Sequence, residues 1–335
     1  MIKFVLTIFS LSIIYLINKF KETIAKKNKL LDRPDKIRKF HKKQTPLLGG
    51  IMIFSSFLLI NLHIIFFQSF DNNSFTIFIC CSCCLILGLI DDIKKISYKY
   101  KFFILIIIFY IFVSANPILQ INKIYFLTLN KEFYLNYLSI PFTILCLLLL
   151  TNAINLIDGI DGLCIIISII FLTWLMNTFK NTEPLYIVIT ISLIYILYLN
   201  LKKNIFLGDS GSLFLGCLIG LNIIFNYNME ILKVNYPVEN IFITLMLPGL
   251  DMLRVFVIRI MNKKNPFSPD RIHLHHLLLN NKIQLKNILL TFFILIITPI
   301  LINQLSNIMP LFIILIYIFL YCILIILLQK NFFNN

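Results

Sequence analysis

Charge is scarce in this sequence. Asp, Glu, Lys and Arg supply 13% of its 335 residues, about half the share found in soluble domains. With 59% apolar residues and a mean hydropathy of +0.90, a water-covered surface is excluded, and the chain reads as a polytopic membrane protein. Acidic residues are scarcer than basic ones, 15 against 30, giving a formal charge of +15. In a soluble chain that excess would suggest nucleic acid, but here the basic residues separate long apolar runs, so topology explains them and no nucleic-acid partner is expected. The eight cysteines all fall within apolar stretches, with no interleaved histidine or turn glycine. They read as small hydrophobes, not as a disulfide framework or metal site.

Apolar runs near 4–18, 47–66, 75–90, 102–115, 137–151, 163–177, 185–199, 213–225, 240–258, 287–303 and 309–328 are each about long enough for one crossing. The expected fold is therefore a single all-α transmembrane domain over residues 1–335 with eleven helices, ten being the alternative count. The first run reads as an uncleaved anchor, because no small-residue cleavage site follows it. Eleven basic residues lie between Lys19 and Lys43, four between Lys94 and Lys101, and six between Arg259 and Lys286, while the alternate connections hold few. The positive-inside rule then puts the amino terminus outside and the carboxyl terminus in the cytoplasm. Cytoplasmic loops are expected at 19–46, 91–101, 152–162, 200–212 and 259–286.

Acidic residues contribute little to orientation, yet the aspartates follow the same asymmetry: of the ten, only Asp71 is expected outside. Glycine, present only ten times, repeats the pattern. Gly49, Gly50, Gly159, Gly162, Gly208 and Gly211 lie in the same segments, beside aspartate or proline. Polar groups gathered against one membrane face suggest a site.

Four segments carry the candidate chemistry. Asp91 and Asp92 are adjacent carboxylates that repel unless a cation or proton intervenes. The run Asn152 to Leu163 sets Asn152, Asn155, Asp158 and Asp161 three residues apart with no basic residue among them; on a helix that spacing shares a face. Gly208-Asp209-Ser210-Gly211 precedes an apolar run, so backbone amides at a helix start can face phosphate, with Asp209 a hard-oxygen ligand suited to Mg²⁺. Arg271, His273, His275 and His276 crowd one short stretch. Zinc lacks the Cys or HExxH partners it needs nearby, and a pyrophosphate clamp led by Arg271 is the better reading. The basic run Lys36, Arg38, Lys39, His41, Lys42 and Lys43 reads as topology and headgroup attraction, with a grip on lipid phosphate as the alternative.

Together, Asp32-Arg33-Pro34, Pro46-Leu47-Leu48-Gly49-Gly50, Leu89-Ile90-Asp91-Asp92, the Asn152–Leu163 run, Phe206–Gly216 and Pro266–Leu279 resemble the polyprenyl-phosphate N-acetylhexosamine-1-phosphate transferases, over about residues 32–280. The ending His273-Leu274-His275-His276 after Ser268-Pro269-Asp270-Arg271 is similar to the branch that initiates O-antigen and related glycans on undecaprenyl phosphate. The resemblance implies a bacterial inner-membrane enzyme, a homodimer as one candidate assembly, with its active site on the cytoplasmic face. That enzyme would transfer sugar 1-phosphate from a UDP-sugar to undecaprenyl phosphate with Mg²⁺, or Mn²⁺ in its place. It further implies that Asp91, Asp92, Asp158 and Asp209 are catalytic and that Asp209 and Asn155 hold the metal. Lys101 would neutralise phosphate, Asp161 and Phe206 line the uridine pocket, and Arg271, His273, His275 and His276 face the diphosphate or sugar.

Three other readings stand beside this one. The phospho-N-acetylmuramoyl-pentapeptide transferases are related, although their three consecutive histidines and acidic segment are missing here. A secondary transporter also has many helices and intramembrane acids, but predicts charges near midplane and an internal repeat. An intramembrane aspartyl protease would use Asp91 and Asp209 and leave the other acids without a task.

Overall fold

The computed structural model describes residues 2–32, 44–67, 71–179, 183–234, 236–265 and 271–333. Lys36, Arg38, Lys39, His41, Lys42, Lys43 and Asp270 lie outside them. Among the described residues the chain forms thirteen α-helices: α1 Ile2–Lys19, α2 Lys21–Lys27, α3 Gly49–Phe67, α4 Asn72–Lys94, α5 Tyr98–Ala115, α6 Ser139–Ile157, α7 Leu163–Thr178, α8 Glu183–Leu201, α9 Gly208–Val234, α10 Val238–Met261, α11 Leu274–Asn280, α12 Leu285–Leu305 and α13 Pro310–Phe333. Each apolar run identified above overlaps one of them. Nine are long and apolar enough to cross a membrane, whereas Leu163–Thr178 and Tyr186–Leu201 are shorter apolar helices. The protein is an all-α polytopic membrane protein. Its apolar side chains face outward as well as inward, as on α13, where Phe312, Ile316 and Phe319 are exposed. Such a surface is stable only against lipid.

The core centres on α9, whose spanning window is 83% buried. Gly208, Ser212, Gly216 and Gly220 recur every fourth residue, which aligns small side chains along one helix face. Adding a Cβ at Gly216 would put it 2.7 Å from the Thr151 Cα of α6, so the two backbones approach where lipid-soluble helices gain most from close packing. The interior also holds polar ties. Ser10, Ser56 and Ser192 join α1, α3 and α8, and Tyr186 of α8 bonds Asn222 and Asn226 of α9.

Two short antiparallel pairs cap the bundle. β1 (Leu31–Asp32) pairs with β2 (Thr45–Pro46), and β3 (Lys123–Phe126) with β4 (Lys131–Tyr134) in the register Lys123 to Tyr134. The second hairpin is clasped at its turn, where the Leu127 and Thr128 amides donate to the buried Glu239 carboxylate of α10. At the other end, Leu47 bridges Phe206 in parallel. The amides of Gly49 and Gly50 donate to the carbonyls of Phe206 and Leu207, tying the start of α3 to the start of α9.

Several motif residues lie within helices, not loops. Asp91 and Asp92 occupy the last turns of α4, Lys101 the first turn of α5, and Asp209 the first turn of α9. In the Asn152–Leu163 run the shared helical face stops early: α6 ends at Ile157, Asp158 is its C-cap, and Gly162 at φ 82° starts α7. Asn152 and Asn155 are therefore helical, while Asp161 is placed by a turn.

Candidate active site

Asp91 and Asp92 are consecutive on one helix and so point about 100° apart, and the structure gives them different partners. Asp91 is buried. Its Oδ1 accepts the Ile96 amide at 2.6 Å, and its Oδ2 lies 2.6 Å from Lys101 Nζ. Lys95, in left-handed conformation at φ 51°, turns the chain after α4 and lets α5 bring Lys101 back. The same ammonium lies 3.6 Å from Asp209 Oδ1, making Lys101 the bridge between the Asp91-Asp92 pair and the Gly208–Gly211 segment.

Asp92 reaches the start of α9 instead. Its Oδ1 accepts the Asp209 amide at 2.9 Å and its Oδ2 the Ser210 amide at 3.1 Å. This is an N-cap supplied from another helix, satisfying donors that α9 cannot pair internally and complementing its positive end. The amides expected to face phosphate are thus held by a carboxylate. Two glycines permit the approach. A Cβ on Gly88 would sit 2.4 Å from the Ser210 Cα, and one on Gly208, at φ 76°, would sit 2.7 Å from Asp92 Oδ2.

These groups open onto a cleft of about 1360 Å³. Asp91, Asp92, Asp158, Asp161, Phe206, Asp209, Arg271 and His276 line it, joined by Lys26, Lys29, Asp32 and Gln44 from the first connection. Residues from all five expected loop regions therefore meet at one end of the bundle. Asn155 is half-buried and is not among the residues lining the cleft. Burial, then the charges of Asp209, Asp92 and Asp161, push the Asp158 carboxyl well above its usual range.

His273 and His275 are buried behind the cleft wall. Asp251 of α10 holds that wall. Its carboxylate accepts the Leu274 amide at 3.0 Å, Arg254 Nη2 at 2.7 Å and the Tyr321 hydroxyl at 2.9 Å, and lies 2.9 Å from His273 Nδ1. Arg254 also donates to the Ile272 carbonyl. His275 packs so closely that a Cβ on Gly159 would lie 2.5 Å from its Nε2. Burial and the neighbouring His276 and His273 lower its imidazole to about 3.

A glycosyl transferase family 4 profile matches residues 74–226, the stretch running from Asp91 to Asp209. A Bacillus subtilis protein named "Probable undecaprenyl-phosphate N-acetylglucosaminyl 1-phosphate transferase" is 31% identical over 283 residues, covering 81% of this chain and 76% of that protein. The chain belongs to glycosyl transferase family 4. A Thermotoga maritima undecaprenyl-phosphate alpha-N-acetylglucosaminyl 1-phosphate transferase is 30% identical over 255 residues, 75% of this chain and 74% of its own length. A Buchnera aphidicola phospho-N-acetylmuramoyl-pentapeptide-transferase is 33% identical over 221 residues, 54% of this chain and 60% of its own.

The donor set of this family 4 transferase fits a divalent cation. Five carboxylates besides Asp91 line the cleft, and after burial, the largest cause, it is the charges of Asp209, Asp92 and Asp161 that raise Asp158, the crowding of negative charge that a cation relieves. Among the described residues, the one group of three His, Cys, Asp or Glu ligand atoms all within 4.8 Å of one another is Cys80, Cys84 and Cys217. The carboxylates thus form no closed cage, which suits Mg²⁺, an ion usually held by one or two carboxylates together with substrate phosphates.

Sequence reasoning counted Asp251 among the aspartates and Arg254 among the arginines of the cytoplasmic side without a specific role, and passed over Tyr321 and Asn200. Asp251 and Arg254 stand three apart within an apolar helix, a pairing that itself signals a buried ionic site. Tyr321 lies in α13 among apolar residues and carries no such signal. Asn200, whose side chain accepts the Gly162 amide at 2.6 Å and donates to the Ile205 carbonyl at 3.1 Å, braces the Asn152–Leu163 run against the chain leading into Gly208.

Proposed function

We propose that this transferase moves N-acetylhexosamine 1-phosphate from a UDP-sugar to undecaprenyl phosphate, releasing UMP and priming an O-antigen or related envelope glycan. The observation that carries the reading is the Lys101 ammonium set between Asp91 and Asp209, two carboxylates that line a cleft at one end of a membrane bundle. A membrane-anchored phosphate and a soluble nucleotide can meet only there. The names of the Bacillus and Thermotoga relatives support the lipid acceptor and the sugar phosphate. The excess of basic residues in the connections on this side supports a cytoplasmic cleft, and the bacterial sources of the relatives support a bacterial inner membrane.

In the reaction a lipid phosphate oxygen bonds to the β-phosphorus while the bond from that phosphorus to the bridging oxygen breaks, and UMP leaves with the electron pair. Bound Mg²⁺ would neutralise charge building on the diphosphate. Asp209, the cleft carboxylate at the longer end of the Lys101 bridge, 3.6 Å against 2.6 Å, would hold it with Asp158. Lys101 offers its remaining donors to the lipid phosphate, and Arg271 and His276 face the donor from the opposite wall. Both Asp91 oxygens are already engaged, which favours direct attack over an aspartyl-phosphate intermediate.

Purified protein with Mg²⁺, undecaprenyl phosphate and a panel of UDP-N-acetylhexosamines tests the reading, by mass spectrometry of the lipid product. The expected result is a lipid diphospho-sugar with one donor preferred. The panel includes the UDP-N-acetylmuramoyl-pentapeptide suggested by the Buchnera relative's name, whose selective use would move the enzyme to peptidoglycan synthesis.

A further inference from the structure

At the end of the bundle opposite the cleft lies a second cavity, of about 510 Å³. It is bounded by the end of α7, the start of α10 and the end of α12. The 24 residues of α10 put it about 35 Å from the catalytic end. Its volume is within the range of about 300–1,000 Å³ usual for small-ligand sites. We propose that this cavity binds an uncharged saccharide, on the membrane face opposite the catalytic cleft.

The argument rests on what lines it. Trp174 and Tyr236 supply aromatic surface, and Asn177, Asn240, Asn303 and Gln304 supply amides. No Asp, Glu, Lys, Arg or His lines it among the described residues, so it offers no counter-charge to an ion. Amides both donate and accept, as a hydroxyl-rich ligand requires, and an aromatic ring covers the C–H face of a sugar. The walls are braced: Asn303 donates to Asn240 at 2.9 Å, and Trp174 meets Phe179 edge-on at 5.8 Å. Asn177 and Gln304 are exposed at the rim, where their amides can turn to a ligand. A cavity meant only to be filled by lipid chains would be lined by apolar side chains, since each unpaired amide in hydrocarbon costs several kcal/mol.

The site stands independently of the reaction assigned to the cleft. Trp174 is the chain's single tryptophan, so its fluorescence reports this cavity alone. Titrating detergent-solubilised full-length protein with N,N′-diacetylchitobiose should change that fluorescence saturably. The affinity should fall at least tenfold in an Asn177→Ala, Gln304→Ala double variant of unchanged melting temperature. A UDP-sugar should not displace the disaccharide, and glucose 6-phosphate should bind at least tenfold more weakly. No saturable change in folded protein, an unchanged affinity in the double variant, displacement by UDP-sugar, or equal binding of the phosphorylated sugar would each overturn the proposal. Loss of transferase activity with any donor would leave this titration unaffected and would count only against the cleft reading.

Discussion

Asp92, on α4, accepts the backbone amide of Asp209, the residue that begins the chemistry on α9, at 2.9 Å. The relationship separates two carboxylates that adjacency in sequence makes look equivalent. Asp91 faces Lys101, while Asp92 fixes where Asp209 stands. Replacing Asp92 by Ala should lower stability by about 0.5–2 kcal/mol, the usual cost of losing a cap, and lower turnover as well. Asp209→Asn should abolish turnover with little change in melting temperature. Thermal unfolding and turnover measured on both variants check this, and equal stability losses would contradict it.

Gly208 makes that contact geometrically available. Gly208→Ala places a Cβ at φ 76° and 2.7 Å from Asp92 Oδ2, so it should destabilise by more than the roughly 1 kcal/mol that alanine gains where the backbone suits it. The melting temperature should fall further than for Gly249→Ala, where a Cβ would meet nothing within 4 Å.

Lys101→Met removes the cation shared by Asp91 and Asp209. Turnover should fall at least a hundredfold, since a buried carboxylate then faces another with no charge between them. Lys101→Arg should restore little, because the planar fork cannot occupy the point position of an ammonium set between two carboxylates. Full activity of the arginine variant would contradict this role.

His275 gives a pH dependence. Its imidazole titrates at about 3 when folded and near 6.5 when unfolded, so the unfolded chain binds the proton that the folded chain refuses. The resulting stability is complete above about pH 6.5 and declines as pH falls toward 3, by at most about 1.4 kcal/mol per unit. Melting temperatures between pH 7.5 and 5 should therefore fall more steeply in the parent than in His275→Asn. Parallel curves would contradict the assignment.

Much of this was legible in the sequence because lipid imposes simple rules. Apolar runs gave every long helix, and the one-sided distribution of Asp and Gly identified the residues that meet in the cleft. Asp209, Asp161, Arg271 and His276, from three separate motifs, line that one cleft. What escaped reading was direction: sequence shows that Asp91 and Asp92 are neighbours, not that a turn of about 100° sends one to Lys101 and the other to an α9 amide. Tyr321 escaped for a related reason, since one hydroxyl among apolar residues acquires meaning only when Asp251 comes within 2.9 Å. The helical face expected for Asn155 and Asp161 failed because α6 ends at Ile157, between them.

The most direct test of the central claim follows the phosphorus. Incubating the protein with Mg²⁺, undecaprenyl phosphate and a UDP-N-acetylhexosamine radiolabelled at the β-phosphorus should move the label into the lipid fraction, with one UMP released per labelled lipid and neither product formed by Asp209→Asn. Label retained in the nucleotide fraction as UDP while sugar reaches the lipid would mean transfer of the sugar alone, and would contradict the account.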